Sequence, residues 1–450
     1  MYKECKIKSL VERNGKIVEF DPEKVTLAIY RAAAAVGGHD RELTVSLTNK
    51  VIDLINQAYS SDMLPTVENI QDIVEKVLIE NGHAKTAKAY ILYRAQRAEM
   101  RKAKDAAEYT HGNIPYDVIW RTLWWNAEHN CETIAKLNKI IKDPKKFCKL
   151  VQDAEKDYNY RLEVAAQNIY KHIESIRMII ISGPSSSGKT TTTLRIADFL
   201  KQRGFTLKAI NVDNYYYDLE YHPKDEFGDY DFETPEALDL PLISEHLSQL
   251  IEGKEIKCPI YNFKSGKREK ETTNFKLENN EVLLIDSLYG FYHGMTGHIP
   301  EEKKFKFYIE TLCQLKDKNG SFVRWTDLRL LRRMIRDSQF RSYDPEKTVG
   351  HWHYVRKGEI KHIIPNMKFA DFIFNGAMPY ELPVMKKYLF KFIKPIMDKY
   401  KDEPAKLDAF LRAKRIYELL NQLQEVQDDT CIPGDSVLRE FIGGSQLKYH

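Results

Sequence analysis

The chain has 450 residues, more than the roughly 250 to 300 that one hydrophobic core usually supports, so its length predicts at least two domains. Hydrophobic residues make up 43% of the chain and charged residues 30%, and the formal net charge is +4. This composition excludes a disordered or fibrous protein. Because the charge is nearly balanced and the apolar runs are only strand-length, neither nucleic acid nor a membrane is an expected partner.

The cysteines are widely spaced, and no two of them form the C-x-x-C pair of a zinc or redox site. They are Cys5, Cys131, Cys148, Cys258, Cys313 and Cys431. The spacing predicts reduced thiols, as in a cytoplasmic protein. The N-terminus also lacks the apolar region of a secretory signal, which favours the same location.

The first hundred residues predict a small, mostly helical domain. Alternating polarity on both sides of Asn14-Gly15 predicts a β-hairpin, because both residues tolerate a positive φ. Asp21 and Pro22 predict the start of a helix that ends at Gly37. Three more helices are expected over residues 42–59, 66–81 and 84–105, so the domain should span residues 1–105.

Residues 106–176 keep a helical pattern and predict a helical connector. Trp120, Trp124 and Trp125 lie close together in it, either as a packing element or as a contact with another domain or subunit. From residue 177 to about 400, short apolar strands alternate with helices, which predicts an α/β domain with a parallel sheet flanked by helices. Residues 401–450 are expected to form a helical tail.

A phosphate-binding loop follows the first of these strands. After Met178–Ser182 the sequence reads Gly183-Pro184-Ser185-Ser186-Ser187-Gly188-Lys189-Thr190, a complete G-x-x-x-x-G-K-[ST] motif. Backbone amides and the helix N-terminus would hold the polyphosphate of ATP, Lys189 would contact the β- and γ-phosphates, and Thr190 would ligate Mg²⁺. The residues predicted to bind ATP are Gly183, Ser185, Ser186, Ser187, Gly188, Lys189, Thr190 and Thr191.

Two later strands end in carboxylates. A strand over residues 206–212 leads to Asp213, which is a candidate base for the acceptor hydroxyl of a kinase reaction or, equally, the cap of the following turn. A strand over residues 281–285 leads to Asp286, a candidate Mg²⁺ ligand or again a cap. Chemistry is expected at this edge because the carboxyl ends of parallel strands lie together.

A helix near residue 330 carries a local basic site. Its arginines follow one another at i, i+3, i+4 and i+7 and are Arg329, Arg332, Arg333 and Arg336. The spacing places them on one helix face and predicts a lid over the triphosphate, with Arg332 and Arg336 in catalysis and Arg333 on ATP. Arg341 follows and is assigned to the substrate. A solvated charged face is the alternative.

Several segments of the C-terminal half resemble the uridine kinase and phosphoribulokinase branch of P-loop kinases. They are residues 212–216 (Val-Asp-Asn-Tyr-Tyr), 230–239, 259–263 (Pro-Ile-Tyr-Asn-Phe) with Arg268, and the arginine helix. The resemblance implies phosphoryl transfer from ATP to a small hydroxyl-bearing acceptor with Asp213 as the base. It implies substrate contacts from Tyr215, Tyr216, Asp239, Tyr261, Phe263 and Arg268.

Two positions depart from that family pattern. Gly266 stands where the pyrimidine-specific kinases have a base-reading histidine, and Asn262 replaces the aspartate of the motif. The acceptor is therefore left open between a nucleoside and a phosphorylated sugar. Residues 436–445 are similar to the ending of a bacterial subgroup of these kinases, and no chemistry is assigned to them.

Residues 5–100 resemble the ATP-cone, a regulatory nucleotide-binding module. The matching segments are residues 11–15, 20–25, 65–72 and 89–94. The resemblance implies that ATP or dATP binds as an effector at Arg13, Asn14, Lys24 and Arg94. Glu12 stands where cones commonly have a lysine, so a cone that is only structural is the alternative.

The sequence thus predicts a Mg²⁺- and ATP-dependent small-molecule kinase, for a nucleoside first of all, under adenine-nucleotide control and assembled as a homo-oligomer. A 2-phosphoglycerate kinase, which also joins a cone to a P-loop domain, is one alternative. A non-catalytic nucleotide-sensing regulator is another, although the zinc ribbon of cone-bearing repressors has no matching cysteines here. Simple ATP hydrolysis is a third, and it would not depend on an acceptor.

Overall fold

The computed structural model describes residues 2–11, 17–60, 63–94, 114–224, 230, 233–263, 265–340, 343–403 and 406–447. The chain forms two compact units. The first consists of Met1–Ala107 with Tyr400–Leu407, and the second of Glu108–Lys399 with Asp408–His450. None of the helices in the described ranges is long and apolar enough to cross a membrane.

The first unit is a two-stranded antiparallel sheet packed with helices. Its elements are β1 (Ser9–Val11), β2 (Ile17–Glu19), α1 (Pro22–Ala34), α2 (Arg41–Ala58), α3 (Val67–Glu80) and α4 (residues 84–94). Asp21 caps α1 by accepting from the amide of Glu23 at 2.9 Å, as the sequence predicts. Ile29, Val51 and Ile52 are fully buried in the core between the helices.

The helices predicted as a connector belong to the second unit. They are α5 (Tyr116–Glu128), α6 (Ile134–Ile141) and α7 (Pro144–Lys171). The hydroxyl of Tyr158 on α7 lies 2.9 Å from the hydroxyl of Thr192, so α7 packs directly on the helix that follows the phosphate loop. Trp120 and Trp124 remain 60% and 56% exposed, which corrects the interpretation of the tryptophans as a packing element.

The second unit is built on a parallel sheet, and this confirms the predicted α/β class. Its strands are β3 (Met178–Ser182), β4 (Thr206–Ile210), β5 (Ile256–Asn262), β6 (Lys267–Phe275), β7 (Glu281–Asp286), β8 (Lys304–Glu310) and β9 (Phe372–Asn375). In the described part of the chain, the parallel sheet has the order β4-β7-β3-β8-β9, while β5 and β6 form a separate antiparallel pair. Strand β3 is central and every residue in it is buried.

Helices connect and cover these strands. They are α8 (Lys189–Lys201), α9 (Leu240–Ile251), α10 (His293–Thr296), α11 (Trp325–Phe340), α12 (Pro345–Gly358), α13 (Glu381–Tyr400), α14 (Leu407–Gln422) and α15 (Arg439–Ile442). Apolar side chains of β3, β7 and α9 form one core, with Ile180, Ile285 and Leu247 fully buried. Strand β4 ends at Ile210, two residues earlier than predicted, and a 3₁₀ turn over Val212–Tyr215 follows it.

The prediction that all cysteines are reduced thiols is wrong for one pair. Cys148 on α7 and Cys431 in the C-terminal tail are joined by a disulfide, with their Cα atoms 5.7 Å apart. That separation lies within the range that a disulfide needs. The pair is separated by 283 positions in sequence, so spacing alone could not reveal it. Cys5, Cys131, Cys258 and Cys313 are free thiols.

Candidate active site

The phosphate loop between β3 and α8 has the backbone that its glycines predict. Gly183 and Gly188 have φ values of 151° and 92°, and Ser186 also has a positive φ, of 62°. A Cβ atom on Gly183 would lie 2.2 Å from the carbonyl oxygen of Ile309, so no other residue fits there. The loop therefore turns sharply between the strand and the helix, as a cradle of amides requires.

Lys189 opens helix α8 and folds back over the loop. Its Nζ donates to the carbonyl oxygens of Gly183 and Pro184 at 2.9 and 3.2 Å. Burial lowers the pKa of Lys189, while the charges of Asp286 and Glu440 act in the opposite direction. Beside it, the hydroxyls of Ser186 and Ser187 are buried and have no hydrogen-bond partner in the described protein. Such buried donors in a phosphate loop fit a phosphate ligand.

Asp286 lies where the sequence predicts it, at the carboxyl end of β7. Strand β7 is hydrogen-bonded to β3, and Asp286 is in register with Ile181, two residues before Gly183. The residue is exposed, and desolvation of its carboxylate by the surrounding protein raises its pKa. Lys189 lowers this pKa, whereas Glu440 and Asp213 raise it. The charges of Lys189, Glu440 and Asp213 thus all act on Asp286.

Asp213 lies in the 3₁₀ turn after β4. Its position directly follows residue 212, the predicted end of the strand. The turn is capped by Asn211, whose side chain accepts from the amide of Asp213 at 3.0 Å. The capping role considered for Asp213 thus belongs to its neighbour. Asp213 is exposed. Burial is the main cause of the raised pKa of Asp286 and of Tyr216, and the charge of Asp213 raises both pKa values further.

The arginine face of α11 packs against the phosphate loop, but its two inner arginines are not a lid. Arg329 and Arg332 are buried, with 1% and 0% of each residue exposed. Arg332 donates to both carboxylate oxygens of Glu381 at 2.6 Å and to the carbonyl of Ser186 at 3.3 Å. A buried guanidinium with these partners cannot swing over a ligand, so the expectation of a hinged lid is corrected for this pair.

Arg329 is held in the same way. Its guanidinium pairs with Glu359 and, at 3.1 Å, with Glu310, and it donates to the carbonyl of Ser185 at 3.2 Å. Two arginines therefore hold consecutive carbonyls of the phosphate loop on the side of α11. These contacts tie the loop to α11, so both arginines support its conformation.

The two outer arginines of α11 are partly exposed. Arg333 reaches the hydroxyl of Ser185 at 3.3 Å, and both Arg333 and Arg336 donate to Asp337. Besides burial, the positive charge of Arg336 contributes to the lowered pKa of Lys189. Arg333 remains a candidate for a contact with ATP, and Arg336 remains a candidate for a catalytic role. Arg341 lies outside the described residues.

Three of the residues predicted to bind the phosphoryl acceptor form contacts within the protein instead. Tyr215 is 1% exposed, and its hydroxyl lies 2.9 Å from Nδ1 of His246, which places it in the core and corrects its assignment to the substrate. Arg268 donates to Asp239 at 2.9 Å and to the carbonyls of Tyr215 and Tyr216 at 2.7 and 2.8 Å. Asp239 also caps α9, so this pair supports the turn that carries Asp213.

Other residues predicted to bind the phosphoryl acceptor form an aromatic cluster next to that turn. The ring of Tyr216 lies 5.7 Å from that of Tyr261 and 6.3 Å from that of Phe263, and Phe263 is 67% exposed. Gly266, with a φ of 68°, packs on Leu219 and has no side chain to read a base. The rings are inclined to one another by 54° to 78°, and Phe263 presents an exposed face while Tyr261 is buried.

The candidate effector residues of the first unit are only partly described. Arg13 and Asn14 lie outside the described residues. Lys24 is exposed in the first turn of α1. Arg94 on α4 donates to Asp72 at 2.7 Å and to Glu75 at 2.6 Å, so two carboxylates of α3 already neutralise it.

One residue of the site was not predicted from the sequence. Glu440 of α15 accepts hydrogen bonds from the amide and the hydroxyl of Thr191, at 3.0 and 2.6 Å, in the first turn of α8. The resemblance of residues 436–445 to the ending of related kinases marked the segment but not its position. The contact joins residues 249 positions apart, and a local pattern does not reveal such a pair.

A complete phosphate loop, a carboxylate on the neighbouring strand and a second carboxylate in the same crevice define the class: the second unit is a P-loop kinase. Residues 178–381 match the model of the Phosphoribulokinase / Uridine kinase family, and residues 8–99 match that of the ATP cone domain. The chain belongs to the phosphoribulokinase and uridine kinase family.

Named relatives agree with this assignment over the second unit. The uridine kinase of Bacillus thuringiensis is 30% identical over 197 residues, which are 44% of this chain and 84% of that protein. Uridine-cytidine kinase B of Dictyostelium discoideum is 28% identical over 207 residues, which are 46% of this chain and 77% of that one. The solved structure of a possible uridine kinase from Bacillus stearothermophilus aligns with a TM-score of 0.32 and 15% identity, covering 49% of this chain and all of that one.

Proposed function

We propose that this kinase transfers the γ-phosphoryl group of ATP to a hydroxyl of a nucleoside, under the control of an adenine nucleotide that binds the ATP cone. The observation that carries the proposal is the position of Asp286 at the end of the strand next to the phosphate loop, where the charges of both Lys189 and Asp213 act on it. A group that binds phosphate, a carboxylate that can attract a metal and a carboxylate that can accept a proton are the parts that phosphoryl transfer needs.

The residues present fit a Mg²⁺ ion that arrives with the nucleotide. No group of three or more acidic, histidine or cysteine ligands occurs in the described ranges, so a cage made only of protein is not offered there. Thr190 and Asp286 would hold the ion together with phosphate oxygens, as is usual for Mg²⁺ in kinases. When bound, the ion neutralises charge on the phosphates.

The chain's own groups supply the remaining steps. The phosphate loop and Lys189 would orient the triphosphate, and Arg333 and Arg336 would add positive charge near its end. Asp213 would accept the hydrogen bond of the acceptor hydroxyl and take its proton as the new O–P bond forms. The exposed position of Asp213 at the mouth of the crevice supports this role.

The aromatic cluster favours a nucleoside over an acidic acceptor. Stacking on an aromatic side chain is worth about 1–3 kcal/mol per base, and the exposed ring of Phe263 offers such a face at the edge of the cluster. An acidic acceptor such as 2-phosphoglycerate would instead need cations that are not already neutralised. Arg268, which lies in this region, is paired with Asp239. The names of the relatives, which are uridine and uridine-cytidine kinases, also support a nucleoside.

A screen of acceptors tests this proposal. The full-length protein is incubated with Mg²⁺ and ATP and with single nucleosides, sugar phosphates or glycerates, and phosphorylated products are measured by mass spectrometry. We expect a nucleoside monophosphate as the main product. A phosphorylated glycerate or sugar bisphosphate as the main product would refute the nucleoside assignment and leave the kinase class intact.

A further inference from the structure

The C-terminal segment of residues 436–442, here called the C-terminal strap, packs over the start of helix α8. Ser436, Val437, Leu438 and Phe441 are fully buried. A Cβ atom on Gly188 would lie 2.6 Å from a methyl carbon of Val437, which shows how closely the strap approaches the phosphate loop. The strap is thus part of the wall of the nucleotide site.

Several contacts fix the backbone of the strap. The hydroxyl of Ser436 lies 3.3 Å from that of Tyr380, and Arg439 donates to the carbonyls of Asp429 and Ile432 at 2.8 and 2.9 Å. The guanidinium of Arg332 lies 4.8 Å from the ring centre of Phe441. These contacts hold the Cα atom of Glu440 beside α8. None of them involves the side chain of Glu440, which forms a separate contact.

The partner in that contact is Thr191. The carboxylate of Glu440 accepts from both the backbone amide and the hydroxyl of Thr191. Thr191 is the third residue of α8, and first-turn amides have no acceptor within their own helix. In a phosphate loop these amides are donors for phosphate oxygens. A negatively charged group of the chain itself therefore occupies a donor that an anionic ligand would use.

We propose that Glu440 is an internal competitor for the nucleotide, whose carboxylate must leave Thr191 before the phosphates of ATP can take its place. This inference rests on the proposed function, because it takes ATP as the ligand of the phosphate loop. The strap thus forms an autoinhibitory contact that lowers the affinity for ATP. The same contact gives the amide of Thr191 a hydrogen-bond acceptor.

The charges in the crevice support this competition. The carboxylate of Glu440 lies at the N-terminal end of α8, the helix that Lys189 opens. A polyphosphate bound by Lys189 and the amides of this helix start would therefore lie against the carboxylate of Glu440. Two anions that share one set of donors repel each other, so occupation by one disfavours the other.

Nucleotide binding to the full-length protein tests the inference. The dissociation constant of a non-hydrolysable ATP analogue is measured calorimetrically for the wild type and for Glu440→Gln, which keeps the shape and removes the charge. The same titration of Lys189→Ala gives the binding that does not involve the phosphate loop, including any at the cone, and is subtracted. Glu418→Gln, which removes an exposed carboxylate from α14, is the matched control.

We expect Glu440→Gln to bind the analogue about five- to tenfold more tightly than the wild type, the size of a charge effect at a helix N-terminus. Glu418→Gln should bind like the wild type. Unchanged or weaker binding by Glu440→Gln would overturn the inference, and weaker binding would instead make Glu440 a support for the nucleotide. Should this variant fail to fold, Glu440→Asp, which withdraws the carboxylate by one methylene, must show the same tightening.

The result also separates this inference from the proposed function. Wild-type binding that Lys189→Ala abolishes establishes a nucleotide at the phosphate loop, whatever Glu440 does. Absence of binding in the wild type and in Glu440→Gln alike would reject both proposals together.

Discussion

At the scale of single residues, the active site depends on a few charges that lie close together. Lys189, Asp286, Asp213 and Glu440 each shift the ionisation of at least one neighbour. Groups whose charge states are coupled in a cleft are common at catalytic sites, because chemistry needs pKa values that differ from those in water. The roles of the two aspartates can be separated by experiment.

Replacing Asp213 tests the base. We expect Asp213→Asn to lower phosphoryl transfer by about 10²- to 10⁴-fold, the usual contribution of a general base, while ATP binding stays within about twofold of the wild type. Turnover is measured with a saturating nucleoside, and binding by titration with a non-hydrolysable analogue. Full turnover in this variant would remove Asp213 from the base role.

Replacing Asp286 tests whether its negative charge destabilises the folded protein. Because its pKa in the folded protein is raised, the protonated carboxyl favours the folded state at low pH, and this contribution is lost as the pH rises through the folded-state pKa. Asn stays neutral at every pH and keeps the contribution. Without nucleotide, Asp286→Asn should therefore be more stable than the wild type at neutral pH.

The dependence on pH provides the control for this experiment. Thermal unfolding of both proteins is followed from neutral pH to below the ordinary pKa of an aspartate, where the two curves should converge. A variant that is less stable than the wild type at neutral pH would show that the charge of Asp286 stabilises the free protein. The variant should also lose its response to added Mg²⁺ in a binding assay with ATP.

At the scale of elements, helix α11 is tied to the phosphate loop by buried arginines. Arg332 joins α11 to Glu381 at the start of α13 and to the loop carbonyl of Ser186, with the arginine and the glutamate both fully buried. Breaking a buried pair by removing one partner leaves the other charge uncompensated and costs about 3–5 kcal/mol. The pair thus links the stability of two helices to the shape of the loop.

A double-mutant cycle tests this link. Arg332→Met should lower the free energy of unfolding of the second unit by about 3–5 kcal/mol, and adding Glu381→Leu should restore most of it. The control Arg333→Met, at a partly exposed position of the same helix, should cost at most about 1 kcal/mol. Equal losses of unfolding free energy for Arg332→Met and Arg333→Met in chemical denaturation would contradict this link between the two helices and the loop.

The elements also show how far the sequence could lead. The phosphate loop, Asp286 and the cap of α1 follow from local patterns, because a motif of adjacent residues contains its own geometry. Periodicity placed the arginines on one face of α11, but which of them are buried depends on Glu310, Glu359 and Glu381 from distant segments. The disulfide and Glu440 were missed for the same reason.

At the scale of the whole molecule, the chain combines a cone with a kinase. Control by an effector requires that it favour one of two global states, and packing in a homo-oligomer remains the predicted route. The part of the cone that the structure describes shows Lys24 exposed and Arg94 already paired. Lys24 is therefore the better residue for testing the effector site.

Replacing Lys24 tests control by nucleotide. We expect Lys24→Ala to keep basal turnover and to flatten the response to added dATP, because the effector loses a cationic contact. Initial rates are measured at fixed ATP with dATP titrated, and Lys85→Ala, an exposed lysine of α4, is the control. An unchanged response in Lys24→Ala would indicate a cone that no longer acts through this residue.

The most direct test of the kinase assignment is the stoichiometry of the reaction. ATP loss and phosphorylated acceptor are measured in the same samples, with and without the nucleoside set. The proposed function predicts one phosphorylated acceptor for each ATP consumed and almost no ATP loss without acceptor. ATP loss at the same rate in both samples, with no phosphorylated product, would contradict the assignment and indicate an ATP hydrolase.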